Sequence, residues 1–153
     1  PVNEAVGGDT AFIIPNTDTT LTIPSTSERV ITVGAYDSVN ISTVGFSGRG
    51  YTRATEYIKP DLVAPGVNIL TTTVGGSVSS FTGTSAAAPF VSGSVALLME
   101  WGIVDRNDIF LYGERLKAFL CNGAIRDNSR EYPNREWGYG RLCLKNTLDL
   151  LKK

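Results

Sequence analysis

A serine that could act as a nucleophile stands where a strand-like segment gives way to a helix-like one. It is Ser85, in the string Gly83-Thr84-Ser85-Ala86-Ala87-Ala88-Pro89. The glycine turn before it and the small residues after it place its hydroxyl at the start of a helix and leave the approach open. The first turn of a helix presents N–H groups without acceptors and about half a positive charge. An oxyanion that forms beside Ser85 would therefore meet a backbone donor, as acyl transfer requires.

The simpler interpretation is that Thr84 or Ser85 is only the N-cap of an alanine-rich helix. Such caps are common, and a lone Thr-Ser pair would indicate nothing more. The fixed residues of G-T-S-x-A-x-P, by contrast, arise by chance in a chain of this length only about once in ten thousand. We therefore favour a chemical role for the string and keep the cap as the alternative.

A serine nucleophile needs a base, and this chain contains no histidine. A Ser-His-Asp triad, a zinc site with histidine ligands and a histidine general base are therefore impossible within these residues. Cys121 and Cys143 are the only cysteines, too few for a disulfide framework or a four-cysteine zinc site. They could pair with each other, but free apolar thiols in or beside helices are the favoured interpretation. No metal site is expected.

Length and composition indicate one globular domain. The chain has 153 residues, of which 42% are hydrophobic and 19% are charged, so it can bury a core. Its formal net charge of -1 argues against nucleic acid or an anionic membrane as the main partner. No apolar run is expected to reach the ~20 residues of a membrane span, and no signal-peptide pattern is visible. Because the chain opens Pro1-Val2-Asn3 without an initiator methionine, we expect a piece of a longer protein.

The strands that must position Ser85 follow from the pattern of residue types. Short strands are predicted in the turn-rich opening at 11–14 and 21–23. The β-branched run from Val30 to Tyr36 predicts a strand that is buried on both faces, as in a parallel sheet. Three more strands are predicted within 60–66, 67–73 and 78–82.

Helices dominate after residue 83. The segment from Ser85 to Trp101 carries small and apolar residues around its whole circumference, which predicts a helix buried on every side. Pro89 is expected in its first turn, where a missing N–H is tolerated. Two further helices are predicted, one near 113–121 that stops at Gly123 and one over the leucine-rich end of the chain. Strands first and helices last indicate an α/β layer structure.

The sequence resembles the C-terminal half of the catalytic domain of a subtilisin-like serine protease, a subtilase, of the type found in clostridia. The string around Ser85 resembles the family's nucleophile motif, with Ser85 at the catalytic serine. Three other blocks occur in the family's order: Val30-Ile31-Thr32-Val33-Gly34-Ala35, Lys59-Pro60-Asp61-Leu62-Val63-Ala64-Pro65-Gly66 and Glu136-Trp137-Gly138-Tyr139-Gly140-Arg141-Leu142. The resemblance covers residues 21–153, and residues 1–20 look like the end of an upstream insertion. It implies a partial three-layer α/β fold, with a mostly parallel sheet and the nucleophile at the N-terminus of a buried central helix.

The resemblance implies a serine endopeptidase that hydrolyses peptide bonds by acyl transfer. Ser85 would attack the carbonyl, and Gly83, Thr84 and Ala86 would lie beside the peptide or the oxyanion. A histidine and an aspartate from the missing N-terminal half would complete the triad, so this chain alone is expected to be inactive. The implied partners are a peptide or protein substrate and that missing half. No cofactor is implied for the reaction, although subtilases often hold structural calcium, and an extracytoplasmic location would fit the family.

The alternative function is non-catalytic, a degenerate protease fold that binds a peptide or protein. An α/β-hydrolase is disfavoured because G-x-S-x-G is absent. A nucleotide-binding protein is disfavoured because neither phosphate-binding glycine motif occurs. In both of these cases half a domain covers the central helix only in part, so an exposed apolar face is expected. The isolated chain is then expected to self-associate, to rearrange or to exist only bound to its other half.

Two positions differ from the family pattern, and a third matches a family residue that is structural and not catalytic. The family's oxyanion asparagine has only Asn3 as a candidate, and Val2 replaces the glycine that usually precedes it, so an asparagine upstream is favoured. Phe90 stands where most subtilases have a histidine outside the triad. Asp61, the one acid in an apolar strand, corresponds to a structural position.

The resemblance also concerns the turn that precedes the first buried strand. Ile23-Pro24 aligns with a pair that is often cis. The carbonyls of Ser25, Ser27 and Val30 align with a weak cation site, although a plain turn is the favoured interpretation. Elsewhere, four dispersed cations are interpreted as a solvated face: Arg29, Arg49, Arg53 and Lys59. Four aromatic residues are interpreted as packing between the helices: Trp101, Tyr132, Trp137 and Tyr139.

Overall fold

A computed structural model of the chain describes residue 14 and residues 16–152. Its strands are β1 (Val33–Asp37), β2 (Ser42–Thr43), β3 (Leu62–Pro65), β4 (Ile69–Thr72) and β5 (Val78–Phe81). Its α-helices are α1 (Thr84–Met99), α2 (Gly113–Gly123) and α3 (Leu144–Leu151), and a π-helical turn, Glu100–Val104, continues α1. The expected α/β class is confirmed, and each helix begins within two residues of its predicted start or lies inside the predicted segment.

The strand pairing is more mixed than the expected mostly parallel sheet. In the described part of the chain, β1 pairs with β3 in parallel, whereas β1 with β2 and β4 with β5 are antiparallel. The reason is connection length, because β2 follows β1, and β5 follows β4, through short turns that only an antiparallel pair allows. Strands β1 and β3 are buried as predicted, and they carry Ala35, Leu62 and Ala64 into the core.

The predicted strand at 21–23 is wrong, because a turn occupies this segment. The Ser25 N–H donates to the Thr22 carbonyl at 2.8 Å, and the Ser27 N–H donates to the Pro24 carbonyl at 2.9 Å. The Ile23–Pro24 peptide is cis, as the resemblance implies. The predicted strand at 11–14 and the insertion boundary at residue 20 depend largely on residues outside those described.

Helix α1 packs on β1 and β3 but buries only one face. Ala87, Val91 and Leu98 lie in the core. Burial on every side was predicted, yet Phe90 is 42% exposed and Leu97 is 54% exposed. The apolar residues around the whole helix therefore indicate packing on every side, but the described residues of this chain cover only one face. The expectation of an exposed apolar face is confirmed.

The expectation that no apolar segment reaches the length of a membrane span is wrong. By length and composition alone, the segment Thr84–Val104 could cross a membrane, since it has 21 residues and a mean hydropathy of 1.5. The finding is weak, because the core helices of soluble proteins pass the same test. The contact of α1 with β1 and β3 favours a core helix.

Candidate active site

Ser85 lies exposed at the second residue of α1. The structure excludes the simple cap interpretation, because the N-cap is Gly83 and no side chain caps the helix. Gly83 is extended, with φ 160° and ψ 166°. Its N–H donates to the Gly66 carbonyl at 2.8 Å, which ties the start of the helix to the end of β3.

The open end of α1 offers a donor beside the serine. The Ala86 N–H turns back to the Gly83 carbonyl at 3.0 Å. Within the described residues, neither the Ser85 N–H nor its Oγ has a hydrogen-bond partner. An exposed hydroxyl next to a free amide at the positive end of a helix is suited to nucleophilic attack and oxyanion binding.

Pro89 lies one turn further along α1 than predicted. It is the sixth residue of the helix, so its missing N–H is the one that would bond to the Ser85 carbonyl. The Ser85 carbonyl therefore lacks its usual hydrogen bond from the residue four positions later in the helix. The first-turn placement was wrong because the helix begins at Thr84 directly after the glycine.

A cleft of about 860 Å³ begins at Ser85. Thr84 and Ala88 line it from the helix, and residues 30–33, which we call the cleft wall, line it from the sheet. Only one charged residue lines the described cleft, Arg49, and its guanidinium pairs with Glu136 at 2.5 Å. The described cleft thus presents hydroxyl, carboxamide, aliphatic and aromatic groups to a ligand, and no carboxylate lines it.

The other predicted site residues fall in different places. Thr84 lines the cleft beside Ser85, and Gly83 adjoins it. Ala86 is buried on the inner face of α1, so its side chain does not line the cleft. Phe90 lies on the exposed face of the helix, and Asn3 lies outside the described residues.

The turn before the helix permits no side chain at Gly66. A Cβ there would lie 2.6 Å from the Ala35 Cβ and 2.9 Å from the Gly83 carbonyl oxygen. The Gly66 N–H also donates to the Tyr36 carbonyl at 3.0 Å. The backbone of β1, the end of β3 and the turn before Ser85 are therefore in direct contact.

The main feature that sequence reasoning missed is an ionic cluster of Lys59, Asp61 and Lys117, in which Lys59 and Asp61 are buried and Lys117 is half-buried. Asp61 Oδ2 accepts from Lys59 Nζ at 2.7 Å, and Asp61 Oδ1 lies 2.8 Å from Lys117 Nζ. Lys59 is 1% exposed and Asp61 is 3% exposed, so assigning Lys59 to a solvated face was wrong. The signal was present in Lys-Pro-Asp, because an acid in an apolar strand requires a buried cation.

Burial acts differently on the two lysines of this cluster. Desolvation lowers the pKa of Lys59, although its bond to Asp61 and the charge of that carboxylate oppose the shift. Desolvation also disfavours the charged form of Lys117, but the bond to Asp61 and its charge outweigh it and raise the pKa of Lys117. Asp61 therefore has a structural role, because two lysines and a backbone N–H occupy its oxygens.

Two of the three carbonyls aligned with a cation site, those of Ser25 and Val30, already accept hydrogen bonds. The Val30 carbonyl accepts from Lys59 Nζ at 2.9 Å and from Lys117 Nζ at 3.1 Å. The Ser25 carbonyl accepts from the Thr32 hydroxyl at 2.7 Å. Among the described residues there is no group of three or more carboxylate, cysteine or histidine side chains that could hold a metal ion.

The remaining side chains singled out by type have packing roles. Trp137 is buried beside Tyr36, with Tyr132 packed against the pair, and Trp101 packs against the main core. Trp101, Tyr132 and Trp137 are therefore packing residues, but Trp137 and Tyr132 pack on Tyr36 and Val63 of the strands and not between the helices as predicted. Tyr139 belongs to neither core cluster and is half-buried. Arg49 is half-buried in its pair with Glu136, so the solvated-face interpretation is wrong for this residue too.

Both cysteines are free, as favoured, and they differ in environment. Cys121 is buried and Cys143 is half-buried. Burial, followed by the charge of Asp61, raises the pKa of the Cys121 thiol from 9.0 to about 11. The folded state therefore binds the Cys121 proton more tightly than the unfolded state does. The protonated thiol adds its full contribution to the free energy of unfolding below pH 9, and this contribution is lost as the pH rises towards 11.

We expect iodoacetamide at pH 8 to modify Cys143 before Cys121 in the folded protein. The shift in pKa alone lowers the thiolate fraction of Cys121 about a hundredfold, and burial lowers access further. Mass spectrometry of the two cysteine peptides over time measures both rates, with the denatured protein as control, where the rates should converge. Equal rates in the folded protein would contradict this environment for Cys121.

Comparisons with known proteins agree with this arrangement. Residues 4–140 match the Subtilase family. Serine protease AprX of Bacillus subtilis is 30% identical over 149 residues, covering 84% of this chain and 32% of AprX. An uncharacterized protein of Aquifex aeolicus is 35% identical over 137 residues, covering 75% of this chain and 59% of that protein.

Two solved structures are similar over most of the chain. The CspB protease of Clostridium perfringens has a TM-score of 0.90 and 51% identity, covering 94% of this chain and 31% of that one. The patellamide maturation protease PatA has a TM-score of 0.69 and 31% identity, covering 90% of this chain and 48% of that one. The chain spans about a third of the length of AprX and of CspB. With a serine at the open end of α1 and a match over most of its length, the chain belongs to the subtilase family of serine proteases.

Proposed function

We propose that this chain is the C-terminal half of a subtilase catalytic domain and that it carries the nucleophile, Ser85, of a serine endopeptidase. The observation that carries the proposal is the position of Ser85. Its hydroxyl is exposed at the mouth of a cleft, beside a free backbone N–H at the positive end of a helix. A histidine from the preceding half would accept the Ser85 proton and an aspartate would orient that histidine.

The exposed face of α1 supports a second half that precedes this chain. Phe90, Leu97 and Met99 are exposed on a helix whose opposite face is fully packed. Such a face has the composition of a domain interior. Because the chain also spans about a third of AprX and CspB, we assign this face to the N-terminal half of the same catalytic domain.

The cleft supports a peptide substrate with an uncharged side chain next to the scissile bond. Apart from the paired Arg49 and the carboxamide of Asn16, its described lining consists of hydroxyl, aliphatic and aromatic groups and backbone. A cationic side chain would lose its hydration there without gaining a free carboxylate. One similar protein is named a minor extracellular protease, Vpr of Bacillus subtilis, and an extracytoplasmic location is part of the proposal.

The proposed reaction uses no cofactor. A structural calcium ion in the full-length protein would need oxygen ligands other than the turn before β1, because the Val30 carbonyl is held by two ammonium groups. Calcium prefers several carboxylate or carbonyl oxygens, which such a turn then lacks.

The proposal predicts that these 153 residues alone hydrolyse no peptide, because they contain no histidine. Co-expression with the preceding segment as a separate polypeptide should yield a complex that cleaves peptide p-nitroanilides. The rate of that complex should exceed the rate of the chain alone by roughly a thousandfold or more. Size-exclusion chromatography should show that the chain alone self-associates and that the complex does not.

Activity of the isolated chain that survives repurification would overturn the proposal. The non-catalytic alternative is supported if the preceding segment lacks the histidine or the aspartate but the complex still binds peptides.

A further inference from the structure

The cleft wall is held from behind by the ionic cluster. The Thr32 N–H donates to Asp61 Oδ2 at 2.7 Å, and the Val30 carbonyl accepts from both lysines of the cluster. Lys117 Nζ also donates to the Glu28 carbonyl at 2.6 Å. The cluster thus contacts the chain at three points within five residues, just before β1 begins.

This stretch has few other constraints of its own. Residues 31 and 32 precede β1, so no strand pair of their own holds them. The Thr32 carbonyl accepts from the Asp61 N–H at 2.8 Å, and the Thr32 hydroxyl donates to the Ser25 carbonyl at 2.7 Å. Thr32 therefore has two bonds that do not involve the ionic side chains, whereas the carbonyls of Glu28 and Val30 accept from the lysines of the cluster. The position of residues 28–30 thus depends on these lysines.

The charge of the cluster explains why it holds backbone carbonyls. Two ammonium groups meet one carboxylate, so one positive charge remains after pairing. In a buried site such a charge needs further acceptors. The carbonyls of Glu28 and Val30 supply them, and the cleft wall is thereby fixed against α2, from which Lys117 projects.

We propose that Lys117 is a positioning residue of the peptide-binding cleft. This inference rests on the proposed function, since it assigns the cleft to the substrate of Ser85. Lys117 touches neither the cleft nor Ser85; it acts through the carbonyls of Glu28 and Val30. Without its ammonium the Lys59–Asp61 pair remains and is neutral, so the core stays paired while the cleft wall loosens. Substrate binding is weakened and the chemical step is not.

The first test is hydrogen–deuterium exchange of the full-length protein, which requires no substrate. Lys117→Met should raise the exchange rate of the peptide covering 28–33 roughly tenfold. Lys117→Arg keeps the charge and should retain wild-type exchange. Lys145→Met is the matched control, because Lys145 makes an exposed pair with Asp149 on α3, and it should change nothing in 28–33. Unchanged exchange in Lys117→Met overturns the inference.

The second test is kinetic and uses a tetrapeptide p-nitroanilide with leucine next to the scissile bond. Lys117→Met should raise KM roughly fivefold to tenfold and leave kcat within about twofold of wild type. Active sites are counted with a serine-directed fluorophosphonate, so that a loss of folded protein is not mistaken for a change in KM. Lys117→Arg should restore the wild-type KM.

The outcomes separate the two proposals. A fall in kcat at unchanged KM, or a KM that Lys117→Arg does not restore, overturns the positioning role. If the wild type shows no turnover that depends on Ser85, the proposed function fails, and the exchange experiment still decides whether Lys117 holds the cleft wall. If Lys117→Met does not fold, Lys117→Gln replaces it in both tests, because it removes the charge and keeps an N–H donor.

Discussion

In the full-length protein, Ser85→Ala is expected to lower the rate of peptide hydrolysis by roughly a thousandfold or more. The substitution removes the exposed hydroxyl at the second residue of α1, which lines the cleft. It leaves the fold intact, because the Ser85 side chain caps nothing and is not buried. Hydrolysis of a peptide p-nitroanilide measures the rate, and circular dichroism checks the fold.

Ser92→Ala provides the matched control for this substitution. Ser92 is exposed on the same helix, and its hydroxyl donates only to the Ala88 carbonyl one turn back, at 3.3 Å. Its activity should equal that of the wild type. If Ser85→Ala keeps wild-type activity with titrated active sites, Ser85 is not the nucleophile.

Asp61→Ala is expected to lower the free energy of unfolding by about 3–5 kcal/mol. The substitution leaves the buried ammonium group of Lys59 and the half-buried one of Lys117 without their carboxylate, and it removes the acceptor of the Thr32 N–H. Urea denaturation of the full-length Ser85→Ala protein, which cannot digest itself, measures the change.

Glu114→Ala is the control for the loss of an acidic partner. Glu114 pairs with Arg29 at 3.8 Å, and both side chains are largely exposed. Such surface pairs contribute about 0–1 kcal/mol, so this variant should unfold close to the wild type. Equal, small losses in both variants would show that the ionic cluster does not stabilise the fold.

Sequence predicts best those parts of the site whose structure depends on residues close together along the chain. Gly83 and the small residues after Ser85 indicate where the helix begins, and the structure begins it at Thr84, one residue earlier than predicted. The β-branched, apolar run from Val30 to Tyr36 predicts the first buried strand, although β1 begins only at Val33 and extends to Asp37. Each of these features depends on neighbours within a few residues along the chain.

The predictions that failed depend on distant partners or on short turns. Lys59 is buried because Asp61 and the Val30 carbonyl accept its protons, and no pattern of charges along the chain reveals that pairing. Leu21–Ile23 has the composition of a strand, but the hydrogen bonds after Thr22 make a turn. The composition of α1 indicates an apolar environment on all sides of the helix. The described residues of this chain provide that environment on one face only.

Gly66 has a consequence for how far related sequences can diverge. Its backbone bonds to Tyr36 on one side and to Gly83 on the other, and it has no space for a Cβ. Main-chain bonds therefore act together with the core side chains of β1, β3 and α1 to set the distance from the sheet to the nucleophile. A related sequence can keep these main-chain bonds only if this position stays glycine and the residue at Ala35 stays small. Substitution at Gly66 is therefore the change in the sheet that would displace the serine most directly.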